Sequence, residues 1–208
     1  MGKFRIILLS FVLSLFFANF GKAISLDTIP QKSFSAMSVF PEAQGKYLYR
    51  AKIKFGENTY SGMMLIKKSA DTSYRIAFVT ELGLKIFEME FFSNKDTSFI
   101  LHSCISYMNK KVIINTLRKD FESIFITFAA WKKLRLKPHG NQIIMNYRYQ
   151  GKRIYYCKRP NNIYKIVRKR FGFIKEEIEI ENIKNPYPYK IVINHKNKDL
   201  SITLTFIK

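Results

Sequence analysis

A mainly β domain, a curved antiparallel sheet of about eleven strands with one main amphipathic helix over it, is the fold class this sequence predicts. Three observations carry that expectation. Apolar and polar residues alternate with a period of two through most of the chain, and short turn signals separate the alternating runs. One stretch breaks the pattern, with apolar residues recurring every three or four positions.

The chain opens with Lys3 and Arg5, an apolar run from Ile6 to Phe17, and a small, polar region containing Asn19, Gly21 and Ala23. That layout is that of a secretory signal peptide over residues 1–23, leaving residues 24–208 as a single domain. The apolar run is too short to cross a hydrocarbon core about 30 Å thick comfortably; the competing reading is an uncleaved anchor helix. Residues 24–44 read as an irregular lead-in, with Pro30 and Pro41 opposing any long helix.

From Lys46 to about Ile105 the alternation, with turns at Gly56-Glu57-Asn58, Ser69–Thr72, Glu81-Leu82-Gly83 and Asn94-Lys95-Asp96, predicts a five-stranded meander. Gly83 suits a hairpin that needs positive φ. Ile113, Ile114, Leu117, Phe121, Ile124, Phe125 and Phe128 then mark a helix of about 20 residues, extending towards Trp131. Such a helix covers one face of a sheet; a membrane-surface helix carries the same pattern. After Pro138-His139-Gly140 six further strands follow, from Gln142 to Ile207.

The 208 residues hold 36 Lys+Arg and 15 Asp+Glu, a net charge of +21. Loss of Lys3, Arg5 and Lys22 with the leader gives 21 − 3 = +18. This charge speaks to partners rather than to fold. The densest cluster runs from Lys152 to Lys175, with Lys165, Arg168, Lys169 and Arg170 as the candidate patch for an anionic membrane surface; the alternative is a solvated rim. Cys104 and Cys157 either form one disulfide in an oxidising compartment or pack as free thiols.

Motifs for chemistry are absent. His102, His139 and His195 lie far apart in the sequence without metal-ligand spacing, and no cofactor motif appears. No Gly-x-Ser-x-Gly elbow is present, and Glu176, Glu177, Glu179 and Glu181 read as a water-facing strand, so an enzyme is not expected.

A sheet of about eleven strands curls or splits. The 19 Phe and 12 Tyr supply aromatic surface for a trough on the concave side, with Tyr49, Phe78, Phe87, Phe91, Phe121 and Phe125 as candidate lining for acyl chains. A sealed helix-on-sheet core would use the same residues.

Tyr74-Arg75-Ile76-Ala77-Phe78-Val79-Thr80-Glu81-Leu82-Gly83 resembles the strand and hairpin of LolB-type outer-membrane lipoprotein receptors. Arg50-Ala51-Lys52, Tyr60-Ser61-Gly62 with Lys67-Lys68, and Asn115-Thr116-Leu117-Arg118-Lys119-Asp120-Phe121 resemble LolA/LolB-fold envelope proteins of Bacteroidota. The likeness spans about residues 46–125. It implies an unclosed barrel with helices in its mouth that receives lipoprotein acyl chains, and a protruding Leu82 beside Gly83 that contacts the membrane. The chain departs from the receptors in having no lipid-attachment cysteine near the cleavage region and Glu81 where their turn usually has proline.

The sequence therefore predicts an exported periplasmic protein, peripheral at the outer membrane and monomeric, that binds lipid acyl chains or a lipoprotein without nucleic acid. The alternative is a structural or interaction protein of the envelope with a sealed core and a basic binding face.

Overall fold

The computed structural model describes residues 39–40, 45–69, 73–92, 99–125, 135–140, 142–149, 152–159, 162–181 and 187–207. The predicted signal peptide and most of the lead-in lie outside them. The strands are β1 (Gly45–Phe55), β2 (Asn58–Lys68), β3 (Ser73–Thr80), β4 (Lys85–Phe92) and β5 (Phe99–Cys104). The helix α1 (Lys111–Phe125) follows. Then come β6 (Arg135–His139), β7 (Gln142–Tyr149), β8 (Lys152–Arg159), β9 (Asn162–Arg170), β10 (Phe173–Glu181), β11 (Lys190–His195) and β12 (Leu200–Phe206).

All twelve strands form one sheet, ordered β5-β4-β3-β2-β1-β12-β11-β10-β9-β8-β7-β6. Neighbours are antiparallel, and every pairing joins consecutive strands except β1 with β12, where the two meanders meet. β5 and β6 stand at opposite ends of the order, so the sheet is curved but not closed.

The strand count exceeds the expected eleven by β6. Pro138 suggests a break in the sequence, yet β6 is an edge strand paired with β7 alone, and an edge tolerates a residue without an N–H donor. The described part of the helix is Lys111–Phe125, 15 residues; its predicted continuation towards Trp131 lies outside the described residues.

Period-two alternation sends one set of side chains to a shared inner face. The register sets Ile53, Ile202, Ile193, Ile178 and Ile166 in one apolar row across β1, β12, β11, β10 and β9. All five are buried, whereas Arg50, Lys52 and Lys54 on the other face of β1 are exposed. Gly62 is required where β2 meets β3, because a Cβ there would collide with the Val79 carbonyl. The helix lies on the inner face: Ile113, Ile114, Leu117, Phe121, Ile124 and Phe125 make one buried stripe.

The register also fixes which turns share an end of the sheet. Gly56 donates its N–H to the Asp199 carbonyl at 2.8 Å, and Lys196 donates to the Lys175 carbonyl at 3.0 Å. Strand directions place the β1–β2, β3–β4, β9–β10 and β11–β12 turns at this same end.

Candidate functional site

The inner face has two halves, and α1 lies across both. Over β3 and β4 the contact is aromatic. Phe125 stacks on Tyr74 with ring centroids 4.3 Å apart, and Phe91 lies 5.3 Å from Phe125 and 6.2 Å from Phe121. Phe78 and Phe87 pair at 5.7 Å. Tyr49 donates its hydroxyl to the Pro188 carbonyl at 2.9 Å, and burial pushes its phenol pKa far above the usual value. The six aromatic residues named from the sequence are thus brought together, but as core: none is more than 2% exposed. Phe121 and Phe125 of α1 pack on Tyr74 and Phe91 within this core.

Over β8 to β11 the contact is polar. Arg168, Glu176 and His195 stand directly opposite one another on adjacent strands β9, β10 and β11. Asp120 comes down on this row from α1. Arg168 is the hub: Nη1 lies 2.8 Å from Glu176 Oε2, while Nη2 donates to the Lys119 carbonyl at 2.5 Å and to Ser123 Oγ at 2.7 Å. His195 Nε2 lies 3.0 Å from Asp120 Oδ2. On the helix side, Tyr156 of β8 donates its hydroxyl to the Ser123 carbonyl at 3.1 Å. At the turn end, Lys198 donates to Thr116 Oγ1 at 2.5 Å.

This row lies in a low-dielectric interior, and its protonation follows. Burial, then the neighbouring Asp120, pushes the Glu176 carboxyl up to about 8. Burial likewise lifts Asp120 to about 7, opposed first by Arg168. Burial also pushes His195 below its ordinary value. Two carboxyls, one guanidinium and a neutral imidazole balance their charge when the carboxyls share one proton. Asp120 Oδ1 has no hydrogen-bond partner, and Arg168 Nη1 is 3.9 Å away. Asp120, Glu176 and His195 each present an atom within 4.8 Å of the others, an arrangement able to ligate a metal ion. The Arg168 guanidinium already supplies the positive charge there.

The sequence reading missed this row. Glu176 is 2% exposed rather than facing water, because it shares the inward face of β10 with Ile178 and Ile180, two and four positions on, while Glu179 and Glu181 point outward. His195, without a partner in sequence, meets Asp120 75 positions away. Two signals were available: Glu176 lies at the same parity as Ile178 and Ile180, and Thr116, Asp120 and Ser123 recur at helical spacing beside the apolar stripe and are all buried.

The basic patch also needs correction. Arg168 is 6% exposed and belongs to the buried row, so it leaves the surface. Lys165 pairs with Glu177, Lys169 lies 5.4 Å from the Tyr155 ring centroid, and Arg170 is exposed at the end of β9. The candidate disulfide is not formed: Cys104 and Cys157 are free. They sit on β5 and β8, near opposite ends of the strand order. Burial raises both thiol pKa values, which suits inert packing.

The Glu81-Leu82-Gly83 hairpin joins β3 to β4 as expected, with Gly83 at φ 84°. Leu82 projects from it almost free of contact, 98% exposed, and Leu84 beside it is also exposed.

No protein-family model and no curated protein matches the sequence. Among solved structures, a LolA superfamily protein from Nitrosomonas europaea superposes with a TM-score of 0.53 at 10% identity, over 89% of this chain and 93% of that one. A DUF1329 family protein from Desulfovibrio piger matches with a TM-score of 0.46 at 10% identity, over 87% and 92%. The chain has a LolA/LolB-like fold.

Proposed function

We propose that this protein is an exported envelope protein that receives acyl chains, free or on a lipidated partner, on the inner face of its sheet when α1 lifts, and that it serves lipoprotein localisation. The observation that carries this reading is the arrangement of α1. One helix covers an apolar inner face in a sheet whose edges do not meet, and it is held on one side by side-chain groups rather than by apolar packing alone. Displacing it would uncover Tyr74 and Phe91, on which its Phe121 and Phe125 pack, and open the way to the inner-face core that holds Tyr49, Phe78 and Phe87, a surface suited to acyl chains by apolar burial. Binding rather than catalysis is the activity inferred. Among the described residues no helix is long and apolar enough to cross a membrane.

Leu82 is the proposed membrane contact of the β3–β4 hairpin. Burying one leucine side chain in lipid contributes about 1.5–3 kcal/mol. Leu82→Glu is expected to leave stability within about 0.5 kcal/mol, as for an exposed residue, and to weaken liposome association. Unchanged association would remove the hairpin from the reading.

Native mass spectrometry of the protein from its envelope fraction, followed by solvent extraction, tests the main proposal. Phospholipid or lipopeptide near one-to-one stoichiometry supports it. A clean apo mass supports a second reading, favoured by the closed packing of the six aromatic residues: a sealed-core interaction protein of the envelope.

A further inference from the structure

The β9–β10 hairpin carries a feature that core packing does not require. Its sequence is Lys169-Arg170-Phe171-Gly172-Phe173-Ile174-Lys175. Phe171 is 83% exposed and Phe173 72%, and Ile174 next to them is also exposed. Phe171 adopts φ 51° and Gly172 φ 84°, so both central residues of the turn sit in the left-handed region. A two-residue hairpin with that geometry favours Asn-Gly, because asparagine tolerates positive φ and a bulky aromatic does not. Here a strained phenylalanine holds the position with its ring in solvent, a pattern that marks functional sites.

The surroundings are basic. The Arg170 guanidinium lies 5.2 Å from the Phe171 ring centroid and the Lys175 ammonium 6.0 Å from that of Phe173. No acidic residue occurs from Lys169 to Lys175. Aromatic rings flanked by lysine and arginine suit a bilayer interface, where the rings enter the headgroup boundary and the cations meet lipid phosphate. The whole chain, at +21, adds a long-range attraction of the same sign.

Topology supplies an independent support. The β9–β10 turn emerges at the same end of the sheet as the β3–β4 hairpin with Leu82 and Leu84. Five strand intervals separate β3 from β10, about 24 Å along the arc at about 4.8 Å per strand. One end of the sheet thus carries two separated apolar tips.

We propose that the Phe171-Gly172-Phe173 tip is a membrane-docking element, which with Leu82 seats this end of the sheet on an anionic bilayer. The inference deepens the reading above, in that the membrane is the surface at which acyl chains are exchanged. It does not require that the inner face open.

Flotation with phosphatidylethanolamine vesicles containing phosphatidylglycerol, compared with phosphatidylcholine vesicles, tests it on the full protein. Phe171→Asn with Phe173→Ser is expected to weaken partitioning into the anionic vesicles by about tenfold or more, since each buried ring is worth about a tenfold change. Asparagine suits the turn, so the variant should unfold no earlier than the parent. Phe173→Trp is expected to show quenching by brominated acyl chains on anionic vesicles alone. Parental partitioning by the double variant, or equal binding to both vesicle types, overturns the proposal. Acyl-chain recovery from the double variant separates the two readings: retained lipid with lost flotation isolates the hairpin, whereas retained flotation without lipid in parent and variant sinks the inner-face reading and the hairpin together.

Discussion

The two sides of α1 are held by different physics. Towards β3 and β4, Phe121 and Phe125 pack on Tyr74 and Phe91, contacts that are non-directional and indifferent to pH. Towards β8–β11, Lys119, Asp120 and Ser123 meet Arg168, His195 and Tyr156 through hydrogen bonds and charge. Apolar packing loses strength gradually as a helix moves away, whereas a buried charge row is either satisfied or expensive. The β8–β11 side is therefore where the seating of α1 depends on charge. It is there that a proton or a single side chain can change the balance.

The largest expected effects separate the two sides. Arg168→Ala leaves buried carboxyls without their cation and should destabilise by about 3–5 kcal/mol in urea unfolding. Phe121→Ala should cost about 3–5 kcal/mol through transfer and cavity terms. The contrast lies in pH: the Arg168→Ala loss should grow from pH 6 to pH 9 while the Phe121→Ala loss stays constant. Equal pH profiles would erase the distinction between the two sides.

Next in size is the pH dependence of the parent protein. Glu176 and Asp120 bind a proton more tightly folded than unfolded, so their contribution is fully present below the ordinary carboxylate range and is lost as pH rises through about 7 and 8. His195 has its pKa lowered, so it opposes folding only as pH falls below its ordinary value of 6.5. Between pH 6.5 and about 8 the carboxyls act alone among these three, and the melting temperature should fall. Glu176→Gln should flatten that slope. Arg168, Lys152 and Lys198 are the cations that act on the row, Lys119 lies beside Lys152, and burial lowers the pKa of Lys152. A melting temperature that rises across the window would contradict the assignment.

The smallest effect sharpens the contact of β8. Tyr156→Phe removes one hydrogen bond to the Ser123 carbonyl and should cost about 1 kcal/mol. Hydrogen exchange at α1 should quicken in this variant more than at β1 or β12, if the bond holds the helix rather than the sheet.

Much of the fold was legible in local pattern. The alternation of Tyr47, Tyr49, Ala51 and Ile53 announced β1 with its inner face, and the spacing of Ile113, Leu117, Phe121 and Ile124 announced α1. β6 escaped because Pro138 is a breaker by local rules and an acceptable residue only on an edge, which topology alone defines. The polar row escaped for a related reason. Glu176 shares the face of Ile178 and Ile180, but a carboxylate there reads as solvent-facing until the register sets Arg168 and His195 opposite it.

The sequence by itself determined what depends on near neighbours: strand and helix periodicity, the turn at Gly83, the excess of positive charge and the aromatic supply for an inner face. Tertiary structure decided what depends on distant residues coming opposite one another. It paired β1 with β12, left β5 and β6 apart, buried Arg168, and set Asp120 against His195 across 75 positions. It also brought the Leu82 and Phe171 hairpins to one end of the sheet. Local pattern follows from the geometry of a few bonds, whereas a charge row or a shared rim exists only once register is fixed across the whole sheet.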